Sequence, residues 1–531
     1  MARIGTVLSG STTRRIVFEV FDEFYNAVHE GMLVLAGDCS RGLLARIDII
    51  RRESLFYRVG DVWHEARRSG IDLPRDIGSY AYAEASVVGG IGGNYTPTPG
   101  DPVVSLDECK LESIYGVSRG HPGVIWYGSL LGYDGIPLAL DVEALTMHLG
   151  VFGETGSGKS YGFGYLIELL SEVETGNGKA ALPLIVVDAN GDYIDYWYRR
   201  RLGCYERITR FVLPVSPLKY SVDVTTLTID LNLFTARELA ELVISYKTGG
   251  ELPEMQVASL ERVLMEAMAE GYTATELFTK AYRRLINLLE DLSSGKGAPI
   301  HHQTAKAIKS ALEKFRHDVV LSYKLVSTSP SLSRDFIDMM VKEPSFAIID
   351  FSAEGSPGAT LPLKQLIVAY LLRLLYNTFT SYKTSGREAY LLLAIEEAQN
   401  YAPNPRVYPV GSSVARDLLA LIATQGRKFG ICLTVISQRP AFVDPIVVSM
   451  LNTMILHRLS PDDVAFVSKL LGGLPSELER MLVSLPRGYA LVVGQANMLR
   501  APVIVKVGKR RVEHRMGSTR MLEYLRSVSK S

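Results

Sequence analysis

The sequence has little of what would place it outside the ordinary globular class. Four cysteines, Cys39, Cys109, Cys204 and Cys432, are scattered over 531 residues without a C-x-x-C pair. That pattern predicts neither a zinc site nor a disulfide framework and points to the cytoplasm. No apolar run reaches the roughly eighteen residues a membrane span requires. The richest, QLIVAYLLRLLYNTF from Gln365, is broken by Arg373 and has helical amphipathic spacing. The opening MARIGTVLSGSTTRR lacks the continuous apolar core of a secretory signal. Net charge is absent too, since 57 basic residues balance 57 acidic ones, so a polyanion must be met by a local patch. No fixed-period repeat or low-complexity tract occurs. With 47% hydrophobic and 21% charged residues, the chain can bury a large core.

Two patterns divide it. Residues 1–118 read as short strands between turn formers (IGTVL, RRIVFEV, GMLVLAG, LLARIDIIRR, YAYAEASVVGGIGG, then TPTPGDPVVSLDE), which predicts a small β-barrel with a helical insert around 62–69. From 119 to 508, buried strands alternate with amphipathic helices, the mark of an α/β domain with a mostly parallel sheet. The strand candidates are LGVF (149–152), PLIVVD (183–188), RFVL (210–213), FAIID (346–350), YLLLAIEE (390–397), ICLTVIS (431–437), TMILHRL (453–459), GYALVVG (488–494) and PVIVKV (502–507). Residues 232–344 read as a helical insertion within this core. The segment 509–531 is a basic tail, either a solvated extension or a polyanion contact.

HLGVFGETGSGKS carries the chemistry. Gly153, Glu154, Thr155, Gly156, Ser157, Gly158, Lys159 and Ser160 fit G-x-x-x-x-G-K-[ST], between a buried strand and the amphipathic helix YGFGYLIELLSEV. Such a loop wraps phosphate oxygens in backbone N–H groups at a helix N-terminus. Lys159 supplies a charge to the β/γ-phosphates of ATP and Ser160 a hydroxyl to Mg²⁺. Hydrolysis also needs acidic groups at a strand end. Asp188, Asp350 and Glu396–Glu397 all qualify, but only LLLAIEEAQNYAP offers two adjacent carboxylates. Glu396 is assigned to the Mg²⁺ shell and Glu397 to the attacking water. Asp188 either assists the metal or caps a turn. Gln438, at the end of the next strand, is placed to sense the γ-phosphate or to orient water. Arg427 precedes that strand, at the far edge of the sheet, and is either a surface arginine or a finger for the ATP of an adjacent subunit.

With those residues in place, the chain resembles the HerA-type ATPases of archaea, hexameric DNA translocases in the group that includes FtsK. The resemblance rests on PTPGDPV, HLGVFGETGSGKS, VVDANGDY, IEEAQNYAP, GRKFGICLTVISQRP and LHRLSPDD, in the family's order and spacing. It implies an N-terminal HAS barrel, a RecA-like core, a homohexamer with ATP between subunits, double-stranded DNA in the channel, and a NurA-type nuclease on the barrel side for end resection. It also implies that Lys159 and Ser160 are the Walker A residues, Glu396 and Glu397 the Walker B pair, Gln438 the sensor and Arg427 the trans arginine. By the same likeness Arg458 is an interface or structural arginine, and the basic tail braces a neighbouring subunit. Two positions depart from the family pattern: Gln399 stands where a histidine is usual, and Met147 where arginine is frequent.

Rival readings are a conjugation or secretion motor, a regulatory P-loop switch that translocates nothing, and a small-molecule kinase. Most conjugation coupling proteins carry membrane helices, and paired Walker B carboxylates disfavour a kinase.

Overall fold

The computed structural model describes residues 3–57, 62–72, 78–221, 224–294, 299–408, 414–512 and 525–526. The first six strands close into a barrel: β1 (Arg3–Val7), β2 (Arg15–Val20), β3 (Leu33–Asp38), β4 (Arg41–Ser54), β5 (Ser79–Ile91) and β6 (Pro102–Val104), in the order β1-β2-β5-β4-β3-β6. Period-two alternation drives it. In β2, Ile16, Phe18 and Val20 are buried while Arg15 and Glu19 face out. The long β4–β5 pair slips register after Leu44 and after Ile47, bulges that bend the ribbon enough to let it close. A helix, Val62–Arg68, lies between these two strands.

The expectation that the cysteines stand apart is overturned, because Cys39 and Cys109 form a disulfide. Cys39 follows β3 and Cys109 follows β6, and closure of the barrel pairs those two strands directly. Seventy residues of sequence separation hid that proximity. Among the described residues Cys204 and Cys432 are free, Cys432 buried.

Beyond the barrel come β7 (Val124–Tyr127), β8 (Ser129–Leu130), β9 (Leu138–Asp141), β10 (Leu149–Phe152), β11 (Val173–Glu174), β12 (Lys179–Ala180), β13 (Leu184–Asp188), β14 (Arg207–Val212), β15 (Val224–Thr226), β16 (Ser345–Asp350), β17 (Leu391–Ile395), β18 (Ile431–Ser437), β19 (Thr453–Leu456), β20 (Tyr489–Gly494) and β21 (Val503–Lys506). An eleven-stranded sheet runs β15-β14-β16-β13-β17-β18-β10-β19-β20-β21-β8. It is parallel from β15 to β19 and antiparallel from there to β8. Every residue of β10, β13, β17 and β18 is buried, as expected where helices cover both faces.

The two faces belong to different cores. Phe152, Ile185 and Val187 point into a cluster with the helical insertion and the helices Leu361–Thr384 and Val414–Phe429. Leu149, Val151 and Val186 point the other way, into a cluster that takes in Phe163 and Leu166 of the helix Lys159–Leu170 and runs on to Ile16 and Phe18 of the barrel. The barrel and one face of the sheet therefore share a core. The insertion between β15 and β16 holds the helices Ala236–Thr248, Glu254–Ala269, Ala274–Phe278, Tyr282–Ser293, His302–Phe315 and Arg334–Lys342, and the first begins with a capping box between Thr235 and Glu238. No helix among the described residues is long and apolar enough to cross a membrane.

The described start of the basic tail packs on the chain's own P-loop helix. The Arg510 amide donates to the Tyr161 hydroxyl (2.8 Å), and the amides of Arg511 and Val512 donate to the Glu168 carboxylate (2.7 and 3.1 Å). Most of the tail, residues 513–524 and 527–531, to which the bracing of a neighbour was assigned, lies outside the described residues.

Candidate nucleotide site

The loop Gly153–Ser160 leaves β10 and enters the helix Lys159–Leu170 at the C-terminal ends of the parallel strands. Neighbouring chain ends clamp it. The Gly153 amide donates to the Ser437 carbonyl at 3.3 Å, the Glu154 amide to the Arg458 carbonyl at 2.9 Å, and the Gly488 amide to the Ser157 carbonyl at 3.2 Å. Two glycines are required by geometry. A Cβ on Gly153 would sit 2.6 Å from both His457 Cβ and Ser157 Oγ, and Gly158 holds φ +106° as it caps the helix. Arg458 closes the outer side with Glu154, Nε to Oε2 at 3.3 Å.

Lys159, at the first position of the helix, is buried, with Nζ 3.7 Å from Glu397 Oε1. Glu396 and Glu397 follow the last residue of β17 and diverge. The Glu396 carboxylate turns inward: Oε1 accepts from the Tyr193 hydroxyl (2.9 Å) and lies 3.5 Å from Ser160 Oγ, while Oε2 accepts from the Ala189 amide (3.3 Å). Burial raises its pKa well above the carboxylate range, helped by Asp188 and Asp192 and opposed by Lys159. Glu397 turns toward the loop. It accepts from Gln438 Nε2 at 2.8 Å and from Gln399 Nε2 at 2.5 Å. Gln438 in turn accepts from the Thr155 hydroxyl at 2.6 Å, so the end of β18, the acidic pair and the P-loop are bonded together.

The backbone at Glu397 is left-handed, φ +48° and ψ +45°. For a non-glycine residue this costs roughly 1–2 kcal/mol, and it swings the second carboxylate to the opposite side from the first. Strain of this kind gathers at working side chains.

Asp188, at the end of β13, spends both oxygens on the following turn. Oδ1 accepts from the amides of Gly191 (2.7 Å) and Asp192 (3.0 Å), and Oδ2 from that of Tyr193 (2.9 Å). Burial lifts its pKa to about 7 against the pull of the Tyr193 amide. The turn it ties is the one that delivers the Tyr193 hydroxyl to Glu396. Asp350, the third acidic strand end, is neutralised by buried Arg210 at 2.6 Å, whose guanidinium lies over the Trp197 ring. Arg427 is not brought to this constellation. It sits in the last turn of the helix Val414–Phe429, before β18, whereas Gln438 follows β18.

Three participants escaped the sequence reading. Tyr193 lay unread in VVDANGDY, although a tyrosine five residues after a strand-end acid could have been flagged as its reporter. Gln399 was noted only as a departure; it bridges Glu397 to the Ser437 hydroxyl, which donates to Gln399 Oε1 at 2.7 Å. His457 is fully buried beneath the P-loop, its Nδ1 2.9 Å from the Tyr489 carbonyl, and burial lowers its pKa to about 4, with Lys159 adding to the shift.

The model of the family described as "Helicase HerA, central domain" matches residues 125–375, which hold the P-loop and the helical insertion. The DNA double-strand break repair helicase HerA of Saccharolobus solfataricus is 24% identical over 414 residues, covering 77% of this chain and 73% of its own. The probable DNA double-strand break repair helicase HerA of Methanocaldococcus jannaschii is 25% identical over 468 residues, covering 80% and 85%. The chain is thus similar to the HerA-type helicases over most of its length. Among solved structures, the chain is similar to VirB4 of Thermoanaerobacter pseudethanolicus (16% identity, TM-score 0.49, covering 74% of this chain and 98% of that one). It is also similar to the bacterial conjugative coupling protein TrwB (17%, 0.48, 78% and 94%).

Proposed function

We propose that this chain is a HerA-type ATPase, a ring-forming motor that hydrolyses ATP to translocate along and unwind double-stranded DNA, working with a NurA-type nuclease in the resection of broken ends. The observation that carries the reading is the linkage of Glu397 to Lys159, Gln438 and, through Gln438, to Thr155, while Arg427 stands at the other edge of the sheet, out of reach of this site. The relatives named as double-strand break repair helicases support the DNA and repair parts.

Phosphates entering the loop compete with Glu397 for Lys159, 3.7 Å away, and free that carboxylate to accept a proton from water. The water oxygen bonds to the γ-phosphorus, the bond to the ADP oxygen breaks, and Gln438 exchanges its hold on Glu397 for one on the γ-phosphate. Mg²⁺ fits the donor set: Ser160 Oγ and Glu396 Oε1 are hard oxygens 3.5 Å apart, and among the described residues no cluster of His, Cys, Asp and Glu forms a cage of its own. When bound with the nucleotide, the ion neutralises phosphate charge. Ser160 and Glu396 would hold it, Glu396 partly through water, with Tyr193 fixing the Glu396 rotamer. Asp188 supports that site through its turn.

Arg427 would complete the site of the next subunit in a homohexamer, so cleavage in one protomer is felt by another. The test is steady-state ATP hydrolysis with and without linear duplex, together with electron microscopy of the protein on that duplex. Stimulation by DNA and rings threaded by duplex are expected; full turnover by a monomer indifferent to DNA overturns the proposal.

A further inference from the structure

At the N-terminal ends of the parallel strands, the sheet's other edge, a cavity of about 650 Å³ opens. Arg427 lines it from the helix before β18, and Arg500 lines it from the connection between β20 and β21. Both are exposed, and neither guanidinium has an ion pair among the described residues. Asp141 and Glu143 line the same cavity without pairing with either; the Asp141 carboxylate instead accepts the Glu143 amide at 3.0 Å. Two arginines that share a cavity with two carboxylates and form no ion pair with them are held for something else.

The connection that presents Arg500 is rigid. Fully buried Asn497 donates from Nδ2 to the carbonyls of Val492 (3.2 Å) and Ala501 (2.6 Å), accepts the Leu499 amide at 2.9 Å, and through its own carbonyl accepts the Arg500 amide at 2.9 Å. Arg500 is held at φ +57°, a conformation that costs an arginine roughly 1–2 kcal/mol and glycine far less. Its Nη1 is steered by the Gln495 carbonyl at 2.5 Å. Strain, a braced loop and an unpaired charge at one residue are features of a side chain placed for use.

The use is not within the chain. β18 is seven residues long and stands between the Arg427 end and Gln438 at the P-loop end. At about 3.3 Å per residue that is about 23 Å, beyond the reach of an arginine side chain. We infer that Arg500 is a second in-trans cation that joins Arg427 on the γ-phosphate of the ATP bound in the P-loop of an adjacent copy of this chain. Two planar forks suit a group whose three peripheral oxygens share charge in the transition state. The inference rests on the ring reading above and adds a residue to it.

Arg500→Asn removes the charge and keeps a residue that accepts the left-handed conformation; Arg500→Lys keeps the charge without the fork. Alone, the first is expected to lose about a hundredfold in turnover, the scale of one lost transition-state donor, and the second to recover part of it, both still binding nucleotide at their own P-loops. The deciding experiment mixes Arg500→Asn with Lys159→Ala protein, each nearly inactive alone. In mixed rings, a Lys159→Ala protomer supplies its intact Arg500 to an Arg500→Asn neighbour whose P-loop is intact, and hydrolysis returns. Arg427→Ala mixed with Lys159→Ala is run in parallel. Rescue with Arg427→Ala but not with Arg500→Asn overturns the assignment of Arg500 alone; rescue with neither overturns the ring reading. Full turnover by Arg500→Asn on its own also defeats the assignment; where that variant does not assemble, full turnover by Arg500→Lys, which keeps the charge without the fork, defeats it.

Discussion

The two ends of the central sheet differ in how their polar groups are engaged. At the C-terminal ends, nearly every functional atom already has a partner: Glu396 with Tyr193, Glu397 with Gln438 and Gln399, Thr155 with Gln438, Asp188 with its own turn. At the N-terminal ends, Arg427 and Arg500 stand exposed and without ion pairs among the described residues. The first pattern is preorganisation, with donors and acceptors aimed before substrate arrives. The second is a surface whose charges have no use until something docks. On the ring reading proposed above, such a chain carries the loop and acids of one reaction centre and the cations of another.

The contrast can be attacked from its crowded end. The largest effect is expected from Lys159→Ala, which removes the charge facing both Glu397 and the incoming phosphates; hydrolysis should fall by about a thousandfold or more while folding is kept. A phosphate-release assay that finds near-normal turnover would show that the bonded network at this end is not the reaction centre. Glu397→Gln should lower turnover by about a hundredfold to a thousandfold, yet keep ATP binding, read by equilibrium nucleotide titration. Retained hydrolysis would shift the water role to another carboxylate. Tyr193→Phe deletes only the hydroxyl that orients Glu396, so it should raise the Mg²⁺ concentration needed for half-maximal activity by about tenfold, with a smaller change at saturating Mg²⁺. No change in Mg²⁺ demand would mean that Glu396 is not a metal-side group.

The smallest effect concerns the floor under the loop. Folded His457 holds its pKa near 4, against about 6.5 when unfolded, so the unfolded chain takes up a proton first as pH falls. Its contribution to stability is intact above pH 6.5 and is lost between there and pH 4, about 2 kcal/mol by pH 5. His457→Asn should therefore show a smaller drop in urea midpoint between pH 7 and pH 5 than the wild-type protein. The comparison is a difference between proteins, so the opposite tendencies of Asp188 and Glu396 cancel. An equal drop in both would place His457 in a less buried setting.

Much of this was legible because the determining forces are local. ICLTVIS is apolar throughout, as a strand buried on both faces must be, and the strand occupies Ile431–Ser437. RRIVFEV alternates because one side of a barrel strand faces solvent. The P-loop is read from spacing because backbone geometry around phosphate tolerates few residue types. What stayed hidden depends on distant parts of the chain meeting. The approach of Tyr193 to Glu396 requires the turn tied by Asp188. The antiparallel edge β20-β21-β8 includes a strand of only two residues, Ser129–Leu130, too short to leave a pattern. Arg500 carries no motif, and only the buried amide of Asn497 reveals that its loop is held.

The bond between Cys39 and Cys109 encloses β4, β5 and β6 in a covalent ring while leaving β1, β2 and β3 outside it. For a loop of this length, chain-entropy reasoning gives about 4 kcal/mol of stabilisation, which a reductant would withdraw from this domain first. A pull arriving from the C-terminal side would meet sulfur at Cys109 before it reached β6, so on that side the barrel behaves as a buckled collar rather than as a ribbon that frays.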